Sequence, residues 1–332
     1  MSGGSLLQVR GLSVTMGAAA VVADAGFCLA AGEALGLVGE SGSGKTTTLR
    51  AILRLLPPAG RITAGQVMFG GRDLTRLPER AMRAVRGGEI GVVWQDPLAA
   101  LDPLMRVGEQ VTEVIRAHSG RADRRAARER ALQLMRQVEL PDADRTFRRY
   151  PHQLSGGQRQ RVVIASAIAA GPRLLLADEP TTALDVTIQD QILGLLARLR
   201  AELGLALLLV THDLAVVAQA CDRVAVIYAG RIVETGPAAA VFAAPRHHYT
   251  DGLLRAAPRL DRPGVLPRGI QGTPPAAAVP AGCAFAPRCP RADQTCRSVT
   301  PALSAGPGDG GHLAACHHPL QHSAAPPAGA RP

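Results

Sequence analysis

"GESGSGKTT", Gly39–Thr47, lies between the apolar run ALGLV (34–38) and the helical stretch LRAILRLL (49–56). It fits the pattern G-x-x-x-x-G-K-S/T in the context that gives the pattern meaning, after a strand and at the opening of a helix. Glycine is required because backbone N–H groups must turn inward on phosphate oxygens, in conformations that a Cβ obstructs. Gly39, Glu40, Ser41, Gly42, Ser43 and Gly44 are therefore read as a phosphate cradle. Lys45 supplies a point charge for the β- and γ-phosphates and Thr46 a hydroxyl for Mg²⁺. Thr47 follows at the helix N-terminus, whose dipole also favours an anion.

Working outward, short apolar runs alternate with helical patterns from Leu6 to about Phe242, which points to an α/β core with a parallel sheet. Glu33–Gly39 reads as a buried strand and Lys45–Leu56 as the helix after it, stopped by Pro57 and Pro58. Arg173–Asp178 and Leu205–Thr211 read as further buried strands, and Thr187–Leu203 as a helix closed by Gly204. Arg223–Gly236 has the pattern of a hairpin turning at Ala229–Gly230. The arginine-rich stretch over about 97–160 is expected to be a helical subdomain inserted in the core, within a nucleotide-binding domain of residues 1–245. Proline, glycine and alanine dominate afterwards, so 246–320 is expected to form a loop-rich C-terminal extension and 321–332 a disordered tail.

Two further motifs bear on chemistry. LLLADEP (174–180) delivers Asp178 and Glu179 to the C-terminal edge of the sheet, where doubly wound folds place ligands. Asp178 is suited to hold Mg²⁺, and Glu179 to orient and deprotonate an attacking water. LSGGQRQR (154–161) opens a helix with free N–H groups and a positive dipole end, an arrangement that suits an anion. Its position after the helical insertion does not bring it to its own P-loop. The nucleotide of a second subunit is its natural target, which implies head-to-tail pairing.

The ordered set GESGSGKT, Gln95 in VVWQDP, LSGGQ, LLLADEP, ALD (183–185) and His212 in VTHDL resembles the ATP-binding subunits of ABC transporters, over roughly Leu6–Phe242. The resemblance implies a P-loop ATPase core of ABC type with an N-terminal antiparallel β-subdomain and an inserted α-helical subdomain. It implies that Gln95 contacts Mg²⁺ and the attacking water, and that His212 contacts the γ-phosphate beside Glu179. Ser155, Gly156, Gly157 and Gln158 would cap the γ-phosphate across a dimer interface, and Asp185 would link the two sites. One departure stands out: Met16 occupies the position where the family usually stacks an aromatic ring on adenine. Such stacking is worth about 1–3 kcal/mol, and a methionine sulfur contact recovers about 0.3–1.5 kcal/mol. The expected net loss, about 1 kcal/mol, is under tenfold in affinity.

RHHYTDGLLRAAPRL (246–260) and GCAFAPRCPRADQTC (282–296) resemble the C-terminal extension of oligopeptide and dipeptide importer ATPases, in their D-type subunit. Nickel and other small-solute importers form the alternative. The resemblance implies an F-type ATPase paralogue as heterodimer partner, two transmembrane permeases and an extracytoplasmic peptide-binding protein. It places the chain at the cytoplasmic face of the membrane, with Pro97–Gln110 as the surface on which a permease coupling helix docks.

Cys283, Cys289, Cys296 and Cys316 fall in that loop-rich extension, which gains most from a metal staple. Four thiolates suit a 4Fe–4S cluster or tetrahedral zinc, and a metal-free segment is the third reading. The spacing lacks the close Cys-x-x-Cys pairs of zinc ribbons, His312, His317 and His318 are substitute ligands for zinc, and the tail resemblance favours the cluster. Cys28 and Cys221 are expected to be buried small hydrophobes in core elements.

The net charge of +10 raises nucleic acid as a partner. The densest arginine run, Arg121–Arg130, reads instead as a solvated helix face. A soluble ABC ATPase acting on nucleic acid is the competing class, but such proteins carry two ATPase cores or a long coiled coil, so nucleic acid is not expected. MSGGSLLQVR has no basic region followed by a long apolar stretch, and LGLALLLV is short of the roughly 20 residues of a membrane span. A cytoplasmic chain without disulfides is therefore expected.

Overall fold

The structure is a computed structural model, which describes residues 4–118, 123–182, 184–256, 269–275, 277, 281–306 and 311–321. The tail expected to be disordered lies outside the described residues, except for Gln321.

An antiparallel sheet is built from β1 (Ser5–Met16), β2 (Ala19–Ala30), β4 (Gly60–Phe69) and β5 (Arg72–Asp73), in the order β2-β1-β4-β5. A second sheet holds β3 (Ala34–Val38), β6 (Ile90–Val93), β7 (Leu174–Asp178), β8 (Ala206–Thr211), β9 (Arg223–Tyr228), β10 (Arg231–Pro237), β11 (Ser304–Ala305) and β12 (Leu313–Ala314). Its order is β11-β12-β10-β9-β3-β8-β7-β6. The five strands from β9 to β6 run parallel.

Parallel strands are covered on both faces, which is why β3, β7 and β8 read as unbroken apolar runs and are buried throughout. Alternation still divides them. Leu174, Leu176, Leu208 and Val210 face one core, shared with the Lys45–Ile52 helix and the antiparallel sheet. Leu175, Ala177, Leu207 and Leu209 face another, shared with the helices Val107–His118, Arg124–Gln137 and Gly156–Ile168. The helical layer therefore packs on the sheet rather than around a core of its own. From Arg124 on, its arginine run is solvated: Arg125 pairs with Glu129 at 3.2 Å and Arg128 lies over the Phe147 ring at 4.7 Å.

The helix after the P-loop ends at Ile52, one turn before the expected Leu56. Arg54 turns left-handed at φ 53°, and the Arg86 guanidinium collects the freed carbonyls of Leu53 and Arg54. The β9–β10 hairpin turns where expected, at Ala229 and Gly230, both with positive φ as a two-residue turn needs. This turn also braces the P-loop, because the Gly230 N–H donates to the Ser43 carbonyl at 2.9 Å. Cys28 and Cys221 are half-buried, not fully buried as expected: Cys28 lies on the face of β2 opposite buried Phe27 and Leu29, and Cys221 caps the end of the Leu214–Ala220 helix.

The C-terminal extension joins the same fold. β12 pairs with β10, and Tyr249, Ala284 and Phe285 enter a third core with Val38, Val226 and Tyr228. Fully buried Glu234 ties the junction, accepting from the N–H groups of Arg246 at 2.6 Å and His247 at 3.0 Å and from His312 Nε2 at 2.7 Å. No helix among the described residues is long and apolar enough to cross a membrane.

Candidate active site

Four strand ends meet at one edge of the sheet. β3 leads into the P-loop, β7 ends on Asp178 and Glu179, β8 ends on Thr211 before His212, and β6 runs toward Gln95. The cleft they form has a volume of about 680 Å³. Gly39, Glu40, Ser41, Gly42, Gly44, Lys45, Thr46 and Thr47 line it, opposite Gln95, Glu179 and His212.

The P-loop glycines are required where the chain crowds itself. Gly44 has φ 101°, and a Cβ there would meet the Val21 carbonyl at 2.8 Å; a Cβ on Gly39 would meet the Ile227 carbonyl at 2.2 Å. Lys45 Nζ donates to the carbonyls of Gly39 at 2.8 Å and Glu40 at 2.9 Å, so it crosses the mouth of the loop. Burial lowers the Lys45 pKa, and the carboxylates of Glu179, Asp178 and Glu40 pull it back toward the charged form. Ser43 turns its hydroxyl inward, where it is buried without a partner.

Thr46 Oγ1 donates to Asp178 Oδ1 at 3.0 Å. Burial pushes the Asp178 carboxyl above its usual range, and neighbouring Glu179 adds to the shift. A buried carboxylate beside a hydroxyl, both hard oxygen donors, is the donor set that a hard divalent cation takes.

Glu179 leaves β7 in a left-handed conformation, φ 46°, which is costly for a residue with a Cβ and turns its side chain into the cleft. Three side chains hold its carboxylate. Gln95 Nε2 donates at 3.2 Å, Thr182 Oγ1 at 2.8 Å, and His212 Nδ1 lies 3.1 Å from the other oxygen. Burial alone would raise the Glu179 pKa, but the hydrogen bonds from His212 and Thr182 outweigh it and bring it below the usual range. The group is thus a carboxylate at neutral pH, able to accept a proton from water.

The remaining expected residues lie elsewhere. Ser155, Gly156, Gly157 and Gln158 do not line this cleft. Ser155 caps the Gly156–Ile168 helix through a reciprocal capping box with Gln158, leaving that helix end half-exposed. Asp185 caps the Val186–Leu203 helix by accepting from Ile188 N–H at 2.9 Å, and Val186 beside it is 83 % exposed. Met16 ends β1 opposite Ala19 and Gly60 and is not among the residues that line the cleft, where Val21 is the apolar residue of that hairpin.

Three contributors had no signal pointing to the site. Thr182 sits in a motif read only for its acidic residues, while Leu253 and Tyr249 come from the extension. Leu253 lines the cleft, and Tyr249 Oη accepts from the Glu40 N–H at 2.8 Å.

The four C-terminal cysteines converge. Cys283, Cys289, Cys296 and Cys316 line one small cavity with His247, His248, His317 and His318. Burial and the neighbouring thiols raise the pKa of Cys283, Cys289 and Cys316, the last to about 11. Among the described residues, the one group of three potential metal donors within 4.8 Å of one another is Asp293, Cys296 and His318. No three of the four thiols are that close.

This fold and cleft define a P-loop nucleotide-triphosphate-binding protein. A family profile described as "ABC transporter" matches residues 22–182, and one described as "Oligopeptide/dipeptide transporter, C-terminal region" matches residues 233–296. The oligopeptide transport ATP-binding protein OppD of Salmonella typhimurium is 46 % identical over 95 % of this chain and 94 % of its own. The dipeptide transport ATP-binding protein DppD of Escherichia coli is 44 % identical over 97 % and 99 %. Among solved structures, a dimeric ATP-binding cassette in a post-hydrolysis state bound to ADP and Pi superposes with a TM-score of 0.63. It is 30 % identical and covers 70 % of this chain and 98 % of that one. The chain belongs to the ABC transporter ATP-binding proteins, in the branch of the oligopeptide and dipeptide transport ATPases.

Proposed function

We infer that this chain is the ATP-hydrolysing subunit that powers an ABC importer for dipeptides or oligopeptides. The observation that carries the chemistry is the Glu179 carboxylate, held by Gln95, Thr182 and His212 across the cleft from the P-loop. Peptide as cargo is supported by the match of the extension and by the relatives, not by any residue that touches a peptide.

In this reading the P-loop amides and Lys45 bind the phosphates, and Glu179 takes a proton from the attacking water that Gln95 and His212 help to orient. Thr46 and Asp178, with Gln95, would hold Mg²⁺, which neutralises phosphate charge when bound. Ser155, Gly156, Gly157 and Gln158 serve the nucleotide of a second subunit, an F-type paralogue, with Asp185 at the interface between the sites. Their absence from this chain's own cleft supports that assignment. Residues 1–245 make up the nucleotide-binding domain, with the helical insertion at about 97–160, and 246–320 the importer extension. Two permeases and a peptide-binding protein complete the assembly at the cytoplasmic face of the membrane. Leu98 and Leu104, 49 % and 86 % exposed within Pro97–Gln110, offer apolar contacts to a permease. Expressed with those partners, the chain should hydrolyse ATP faster when peptide-loaded binding protein is added. Stimulation by nickel and not by peptide would overturn the cargo, and salt-sensitive DNA binding that persists at physiological ionic strength would revive the nucleic-acid alternative.

We further propose that the cysteine cavity holds a 4Fe–4S cluster rather than zinc. Four thiolates around one tetrahedral zinc, at Zn–S distances of about 2.3 Å, approach within about 3.8 Å of one another. These thiols are spread wider than such a set allows. His247, buried in the same cavity, accepts the Tyr249 N–H at Nδ1, so its Nε2 carries the proton and has no partner. That orphaned donor suits an electron-rich cluster sulfur. Cys283, Cys289, Cys296 and Cys316 would be the ligands. Anaerobically purified protein should be brown and contain iron and acid-labile sulfide, and colourless protein with stoichiometric zinc would refute the cluster.

A further inference from the structure

Arg288 stands 248 residues from Glu40 in sequence, yet its guanidinium grips both oxygens of that P-loop carboxylate. Nη1 donates to Oε2 at 2.6 Å and Nη2 to Oε1 at 3.0 Å. The other donors are also placed: Nε on the Gln271 carbonyl at 3.0 Å, Nη2 on Ile270 at 3.3 Å and Nη1 on the Tyr228 hydroxyl at 3.3 Å. The Tyr228 and Phe285 rings flank the guanidinium at 5.7 and 5.9 Å. The Arg288 side chain is 4 % exposed, whereas that of Glu40 is 27 % exposed and lines the nucleotide cleft. With Tyr249 on its N–H, Glu40 is held by the extension through both backbone and side chain.

The charges give this contact a purpose. A cleft that takes a triphosphate contains a carboxylate, within electrostatic reach of Lys45. Left unpaired, Glu40 repels the phosphates and competes for Lys45. A bidentate guanidinium cancels most of that charge and fixes its direction, as only a planar fork can.

We propose that Arg288 is a positioning residue for ATP binding, neutralising and orienting Glu40 so that the P-loop accepts a triphosphate. The proposal rests on the nucleotide-site reading and adds to it a residue of the extension. Because Arg288 immediately precedes Cys289, it also joins the cysteine segment mechanically to the P-loop.

The test uses the full-length chain, with nucleotide affinity measured by equilibrium titration and turnover measured separately. Arg288→Gln should raise the KM for MgATP about tenfold, the scale of one lost charge-assisted pairing, with kcat within about twofold of wild type. Because the effect is one of charge, ATP affinity should fall more than ADP affinity. Glu40→Gln placed in the Arg288→Gln background should restore most of the ATP affinity, and Arg288→Lys should fall between. Unchanged affinity in a folded Arg288→Gln variant overturns the proposal, as does equal weakening of ATP and ADP that Glu40→Gln does not relieve. If Arg288→Gln does not fold, the Glu40→Gln single variant decides. It should bind ATP as well as wild type or more tightly, and binding weakened more than about threefold, beyond the usual error of such comparisons, counts against the idea. Failure of the wild-type chain to bind MgATP would instead remove the nucleotide reading itself.

Discussion

Glu179→Gln should abolish nearly all ATP turnover while leaving MgATP binding intact. General-base contributions are about 10²- to 10⁴-fold, and every other part of the site survives the change. Glutamine has the same shape, fits the same left-handed backbone, and keeps an oxygen for the Thr182 hydroxyl. What it loses is the capacity to take a proton. Trapped nucleotide should then hold two subunits together, visible as a dimer by gel filtration in ATP. Turnover near the wild-type rate would remove Glu179 from the catalytic role. As the proposed base, the same carboxylate should set the acid limb of the rate profile: it would act as the anion, so activity should be lost as pH falls through its lowered pKa. His212→Ala takes away one of the hydrogen bonds that opposes burial, so the Glu179 pKa rises and the limb moves to higher pH.

Lys45→Met should cost about 10- to 150-fold in MgATP affinity, the equivalent of about 1.5–3 kcal/mol for a hydrogen bond to a charged group. The methionine keeps most of the buried stem, so the fold without nucleotide should be as stable as wild type or more so, since a desolvated ammonium is removed. The difference appears with ligand. At 100 times its Kd, nucleotide stabilises the wild-type chain by about 2.7 kcal/mol through mass action, and about half to nine-tenths of that gain should vanish in the variant. A thermal shift on adding MgATP equal to that of wild type would show that Lys45 does not bind the phosphates.

Much of this site was legible because its parts are local. The P-loop is nine consecutive residues whose glycines answer to backbone geometry, and Asp178 and Glu179 follow a strand whose apolar run is unmistakable. Boundaries were less legible. Nothing near Leu53 signals that Arg54 will turn left-handed, because the Arg86 guanidinium that rewards the turn comes from another helix end. Cys28 and Cys221 are less buried than expected for a related reason: membership of a core element does not say which face or end of it reaches solvent.

The sequence by itself determined the nucleotide chemistry and the order of the motifs. Those depend on residue type and short spacing, which the local backbone converts directly into geometry. Only the tertiary structure decided that the extension is part of the nucleotide site. Leu253, Tyr249 and Arg288 reach the P-loop because β12 adds to β10 and the aromatic rings pack on β9, closing loops too long for any local pattern to encode. The same folding gathers four cysteines spread over 283–316 into one cavity. An ion pair across 248 residues is selected by the packing that brings its halves together, so it leaves no mark on the sequence near either one.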